Sequence, residues 1–156
     1  MKDVFRIEPL DRRIIEVLQS DASLSNQDIA ERVGSSAASC WRRIKALEAA
    51  GILLGPVRLV DPERIGCGVT VICNVRLRSH ARDVTLAFEA FVRTRAEIIE
   101  CFSMSGDWDY LLRIVAADVR DYERFLMRTL LEQPSVGGAS SHFALSITKY
   151  TTALPV

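Results

Sequence analysis

Residues Ser25 to Leu53 read SNQDIAERVGSSAASCWRRIKALEAAGIL, two short helical patterns joined at Gly34. The first starts at Ser25 with Asp28 three residues on, a slightly short form of a capping box. Ile29, Ala30 and Val33 supply its apolar face. Ser36 can cap the second helix, whose inward stripe is Cys40 or Trp41, Ile44 and Leu47, and Gly51 closes it. Arg42, Arg43 and Lys45 stand near the start of that helix. A tight turn followed by a basic helix is what a helix-turn-helix needs to set one helix into the major groove of DNA.

Working outward, Leu10, Ile14, Val17 and Leu18 recur at helical spacing, with Asp11 placed to cap the first turn. Three helices of this size bury little alone. The whole chain has 20 basic and 20 acidic side chains in 156 residues, so no polybasic tail is available to hold nucleic acid. Between Ser36 and Val60, however, Arg42, Arg43, Lys45 and Arg58 face the single acid Glu48, a local patch of the kind a specific DNA reader uses.

Cys40, Cys67, Cys73 and Cys101 form no CxxC pair, which suits free thiols in a reducing cytosol and neither a zinc knuckle nor a disulfide scaffold. The opening MKDVFRIEPLDRR lacks a continuous apolar segment, so no signal peptide is expected. No run reaches the length of a membrane span. The expectation is a cytoplasmic protein without a membrane partner.

Pro56 to Val60 is short and extended, and Asp61-Pro62 breaks it. Val69 to Leu77 then alternates as a half-buried strand. Val84, Ala87, Phe88 and Phe91 give a helix, Ile98 to Met104 a strand, Ser105 to Asp109 a tight turn and Tyr110 to Ala116 its hairpin partner. Val119, Tyr122, Phe125, Leu126 and Leu130 form another helical face, and Ser141, Phe143, Leu145 and Ile147 alternate as a last strand. The order β-α-β-β-α-β is that of a ferredoxin-like fold. The expected architecture is α+β: a helix-turn-helix over residues 1–54, a wing strand and linker over 55–67, and a ferredoxin-like domain over 68–156. One sheet face, carrying Ile72, Leu111 and Val115, has no element left to cover it, and a homodimer packed sheet against sheet is the simplest remedy.

At the start of the second helix of the pair, Ser36, Ala38, Ser39, Arg42 and Arg43 are placed to meet DNA. Either arginine can fork onto guanine, Ala38 can touch a thymine methyl, and Ser36 and Ser39 can donate to phosphate. Lys45 and Arg58 suit phosphate contacts, and Asn26 can sit beside another phosphate. One module reads few bases, so two related helices and a pseudo-palindromic site in double-stranded DNA are expected. No catalytic set competes. His80 and His142 lie on different elements, Ser140-Ser141-His142 lacks a nucleophile elbow, and Gly137-Gly138 precedes no lysine-bearing phosphate loop. No metal or cofactor is expected.

Four pieces in register carry a resemblance over nearly the whole chain: LDRRIIEVLQSDASLSNQDIAERVG, the Cys40-centred helix with RRIKALEAAGIL, SGDWDYLL in the hairpin, and KYTTALPV at the end. The chain resembles the Lrp/AsnC family of feast/famine transcriptional regulators. The resemblance implies a winged helix-turn-helix, a ferredoxin-like effector domain, dimers assembling to octamers, amino-acid effectors bound between dimers, and nucleoid association. It also implies that the Ser105–Asp109 turn is the effector loop. Asp107 or Asp109 would accept the ligand ammonium, amides near Gly106 would donate to its carboxylate, Met104 and Trp108 would form an apolar wall, and Ser141 would add a hydroxyl. Two departures stand out. Ser35-Ser36-Ala37-Ala38-Ser39 replaces a common Leu-Ser-Pro-Thr-Pro run, and Ala139 and Ser141 replace usual threonines. A looser resemblance to siroheme decarboxylases lies in their shared two-domain build, with His142 a thin basis for their tetrapyrrole chemistry, and the basic helix points away from it.

Overall fold

The structure, a computed structural model, describes residues 6–156; the first five residues of the N-terminal stretch lie outside it. Pro9 opens helix α1 (Pro9–Ser20), where its missing N–H costs nothing. Asp11, in the first turn, accepts the Glu8 backbone N–H at 2.9 Å. Helix α2 (Asn26–Val33) begins with the expected reciprocal pair: Ser25 N–H donates to Asp28, and Asp28 N–H donates to the Ser25 hydroxyl. The Ser25 hydroxyl, which also donates to the Asp28 carboxylate at 2.6 Å, and the Ser25 N–H hold that carboxyl below its ordinary range. Gly34 (φ 66°) ends α2, and helix α3 (Ala37–Ala49) follows after Ser36, whose hydroxyl accepts Ser39 N–H.

The three helices enclose Ile14, Ile15, Ile29, Ala30, Val33, Cys40 and Leu47. Trp41 is not among them. Of the two residues that the sequence allowed for the inner stripe, Cys40 is fully buried and Trp41 is 52 % exposed. A small thiol fits between three closely packed short helices, and an indole there would force them apart. Residues up to Arg58 form one compact unit together with Lys149–Val156. The last eight residues of the chain thus pack with the helices. Gln19 holds Leu154 in two backbone bonds, donating to its carbonyl at 3.0 Å and accepting its N–H at 2.7 Å.

No strand forms over the expected wing. Residues 55–61 have no regular structure, and Val57, Leu59 and Val60 are exposed. An extended segment becomes a strand only when a neighbour takes its backbone bonds, and none is present here.

The second unit, Leu59–Thr148, holds a four-stranded antiparallel sheet in the order β2-β3-β1-β4. Its elements are β1 (Val69–Leu77), α4 (Arg82–Arg93), β2 (Ile98–Ser103), β3 (Tyr110–Ala116), α5 (Val119–Phe125), a π-helical turn (Leu126–Leu130) and β4 (Val136–Phe143). This is the expected ferredoxin-like arrangement. Val71, Cys73 and Val75 of β1, Leu112 and Ile114 of β3, and Phe88 of α4 are fully buried. Fully burying each large apolar side chain contributes about 1.5–3 kcal/mol. Ile72, Leu111 and Val115 lie on the opposite face and are half-buried, with Phe102 beside Leu111 across the β2–β3 pair and 49 % exposed.

The last strand departs from its reading. It starts at Val136, runs through Gly137-Gly138 and ends at Phe143, leaving Leu145 and Ile147 exposed. At Gly137 a Cβ would stand 3.1 Å from the Leu77 carbonyl oxygen, so a side chain there would press on the paired β1 backbone. Among the described residues no helix is long and apolar enough to cross a membrane, and no cluster of acids, histidines and cysteines could hold a metal.

Candidate DNA-binding helix and effector turn

Successive residues of an α-helix point about 100° apart, so Arg42 and Arg43 cannot share a face. On α3, Cys40, Ile44 and Leu47 turn inward, and Ala38, Trp41, Arg42 and Lys45 make an exposed stripe at i, i+3, i+4 and i+7. Arg42 has no ion-pair partner among the described residues. Lys45 pairs with Glu48 at 2.7 Å, a contact between two exposed side chains that a phosphate can displace at little cost. Ser36 accepts the Ser39 N–H at the helix cap and keeps a hydroxyl proton for donation. Ser39 is half-buried one turn on, Asn26 is exposed at the start of α2, and Arg58 is exposed beyond α3.

Arg43 differs from its expected role. Its guanidinium bonds to Glu8 and, at 3.2 Å, to the carboxylate of Asp11, which is fully buried. The Glu8 bond and the Asp11 charge raise its pKa above the ordinary arginine value. The ion pair fastens α3 to α1 and engages both terminal nitrogens of the guanidinium. Asp11 lies 32 residues away in sequence, and its only sequence signal was a capping role at the start of α1.

In the second unit, the β2–β3 hairpin closes through Met104 N–H to Asp109 O at 2.9 Å, and Gly106 takes φ 116°, a conformation that glycine adopts without penalty. The two acids of the turn have separate tasks. Asp109 accepts Leu77 N–H at 2.7 Å and bonds His80 Nε2 at 2.7 Å. Partial burial pushes its carboxyl up, but the Leu77 bond, His80 and Arg76 outweigh this and hold it below its ordinary value. Asp107 is exposed, and its carboxylate has no partner among the described residues. Its carbonyl accepts both Nε and Nη2 of Arg76, whose guanidinium also stands 4.8 Å from the centre of the Trp108 ring. Arg76 was not legible as a turn residue, because it lies 31 residues upstream at an outward position of β1.

Met104 is 42 % exposed and Trp108 half-buried, so both can wall a ligand. Ser141 is not brought to the turn. It pairs with Cys73 in the middle of β1, while the turn adjoins Val75 and Leu77. Its hydroxyl bonds to the Tyr122 hydroxyl on the helix-covered face. Burial raises the Tyr122 phenol well above its ordinary value and keeps this pair neutral. His80 follows β1, and His142 pairs with Ile72 near that strand's other end, so the two histidines do not converge.

Comparison with known proteins agrees with both units. Residues 7–53 match the winged helix-turn-helix DNA-binding family, and residues 70–154 match the Lrp/AsnC ligand binding domain. The chain is 37 % identical to the DNA-binding transcriptional activator DecR of Escherichia coli, covering 96 % of this chain and 99 % of that one. It is 35 % identical to the glutamate uptake regulatory protein of Zymomonas mobilis, covering 97 % and 92 %. Among solved structures, a transcriptional regulator of Neisseria meningitidis in complex with L-methionine superposes with a TM-score of 0.93 at 37 % identity, covering 96 % and 97 %. A DNA-binding fold on one unit and a ligand-binding fold on the other, matched in order along the chain, place this protein in the Lrp/AsnC family of transcriptional regulators.

Proposed function

We propose that the protein binds a pseudo-palindromic operator as a homodimer, with two α3 helices in successive major grooves, and that an amino acid held at the Met104–Asp109 turn changes its affinity for that operator. The observation that carries this is the exposed stripe of α3, which offers Arg42 and Lys45 beside a helix N-terminus capped by Ser36. Arg42 is the guanine-reading arginine, Ala38 meets a thymine methyl, and Ser36, Ser39, Lys45, Arg58 and Asn26 contact phosphates. Arg43 holds the helix in place.

At the turn, Asp107 is the acceptor for the ligand ammonium, amides near Gly106 donate to its carboxylate, and Met104 and Trp108 flank its side chain. Asp109 serves by holding the turn against β1. The Neisseria relative was solved with L-methionine, and an apolar amino acid suits the thioether and indole present here. The open sheet face supports a dimer, and the family resemblance supports assembly of dimers to octamers with the ligand between them.

Fluorescence anisotropy with the DNA upstream of the protein's own gene tests this reading, with each of the twenty amino acids added in turn. One or a few should shift the apparent affinity by about 5–150-fold, the usual range of allosteric coupling. Absence of binding to that DNA and to a random duplex pool would overturn the reading.

A further inference from the structure

We propose that Trp41 is a DNA-reading residue, forming with Ala38 an apolar strip on α3 that packs against thymine 5-methyl groups next to the base pair held by Arg42. The inference rests on the regulator reading above and deepens it by assigning a residue and the base chemistry it selects.

Half of a large indole left in solvent needs an occupant. The helical core does not supply one, because Cys40, Ile44 and Leu47 already fill the inner face of α3. Nor is the indole N–H engaged by any acceptor among the described residues. Trp41 lies one turn after Ala38, beside Arg42, and one turn before Lys45. The apolar strip is thus bordered by cations on the side and end that continue along the helix, while Glu48 pairs with Lys45 below it.

Charge of that sign beside exposed apolar surface suits a polyanion with an apolar feature of its own. The major groove supplies both, since phosphates line its walls and the thymine methyl is its one apolar group on a base edge. The first turns of a helix set in that groove are the ones that approach base edges, and residues 38, 41 and 42 occupy them. The indole N–H can then donate to a base-edge acceptor.

The test uses the full-length protein and a pool of random-sequence duplexes. Wild type, Trp41→Phe and Trp41→Ala each select from the same pool, and the recovered sites are remade with uracil for thymine, one symmetry-related pair at a time. Wild type should recover thymine at one such pair and lose about three- to tenfold in affinity when those methyls are removed. Trp41→Ala should lose a similar factor on the thymine site, show no further loss with uracil and select no thymine there; Trp41→Phe should fall between the two.

Should Trp41→Ala fold poorly, Trp41→Phe and the uracil series on wild type still decide the matter. A wild type indifferent to uracil at every recovered thymine, with an unchanged motif for Trp41→Ala, overturns the assignment and leaves the regulator reading standing. An unchanged motif together with a change in oligomeric mass for Trp41→Ala gives the indole to a second copy of the chain and likewise overturns it. If wild type enriches no sequence, the regulator reading falls and this one falls with it.

Discussion

The guanidinium of Arg43 on α3 reaches the fully buried carboxylate of Asp11 on α1, Nη1 to Oδ2 3.2 Å, and joins the first helix to the third. Arg43→Ala should therefore act on stability. Among the described residues Asp11 would keep only its bond from Glu8 N–H, leaving a buried carboxylate without its cation, so the midpoint of unfolding should fall. Urea unfolding followed by circular dichroism measures this. The salt dependence of DNA binding by the folded fraction should stay as in wild type.

Arg42 and Lys45 should separate by kind of effect. Arg42→Ala is expected to lose about 1–3 kcal/mol on the preferred site and to relax preference at two symmetry-related positions. Lys45→Ala should weaken all duplexes alike and reduce the slope of log affinity against log salt by about one per site. Anisotropy at several salt concentrations distinguishes the two.

The turn acids should divide in the same manner. Asp109→Ala leaves Leu77 N–H without its acceptor, so a loss of about 1–3 kcal/mol in stability is expected. Since the folded state holds the Asp109 carboxyl below its ordinary value, its contribution is present above that ordinary value and is lost as pH falls through the folded value. The variant should accordingly show a shallower acid-side decline in melting temperature. Asp107→Ala should melt as wild type and lose amino-acid affinity by calorimetry. Retained affinity would move the effector off the turn, and the cavity of about 370 Å3 bordered by Glu97, Asp121, Arg124 and Arg128 would be the next place to look.

Phe102 and Leu111 stand opposite each other on the uncovered sheet face. Leu111→Asp would put a charge into any sheet-to-sheet interface, so light scattering should show a smaller assembly than wild type at micromolar concentration. An unchanged mass would remove this face from the dimer contact.

Gly137→Ala should destabilise the sheet unit by about 1–3 kcal/mol, since its Cβ would press on the Leu77 carbonyl at 3.1 Å. Thermal unfolding monitored on the β-sheet signal checks it.

Local pattern alone determined much of this protein. The Ser25–Asp28 cap, the helix end at Gly34 and the strand from Val69 to Leu77 depend on bonds and periodicities spanning a few residues, and each stands where the sequence places it. The βαββαβ order and the uncovered apolar sheet face were likewise readable from alternation and count. What the sequence left open depended on partners distant along the chain. Cys40 and not Trp41 enters the core, on the helix face that also carries Ile44 and Leu47. Arg43 is held against α1, off the exposed stripe of α3, by an acid 32 residues away, and Arg76 and Leu77 set the bonds of Asp107 and Asp109 from a neighbouring strand. The final strand begins at Val136, with Gly137 in close approach to the β1 backbone, and its Ser141 is bonded to Tyr122 of α5. A short-range code sets which elements form. The task of each polar side chain is decided only when tertiary packing has chosen its partner and thereby which of its hydrogen bonds remain free for DNA or ligand.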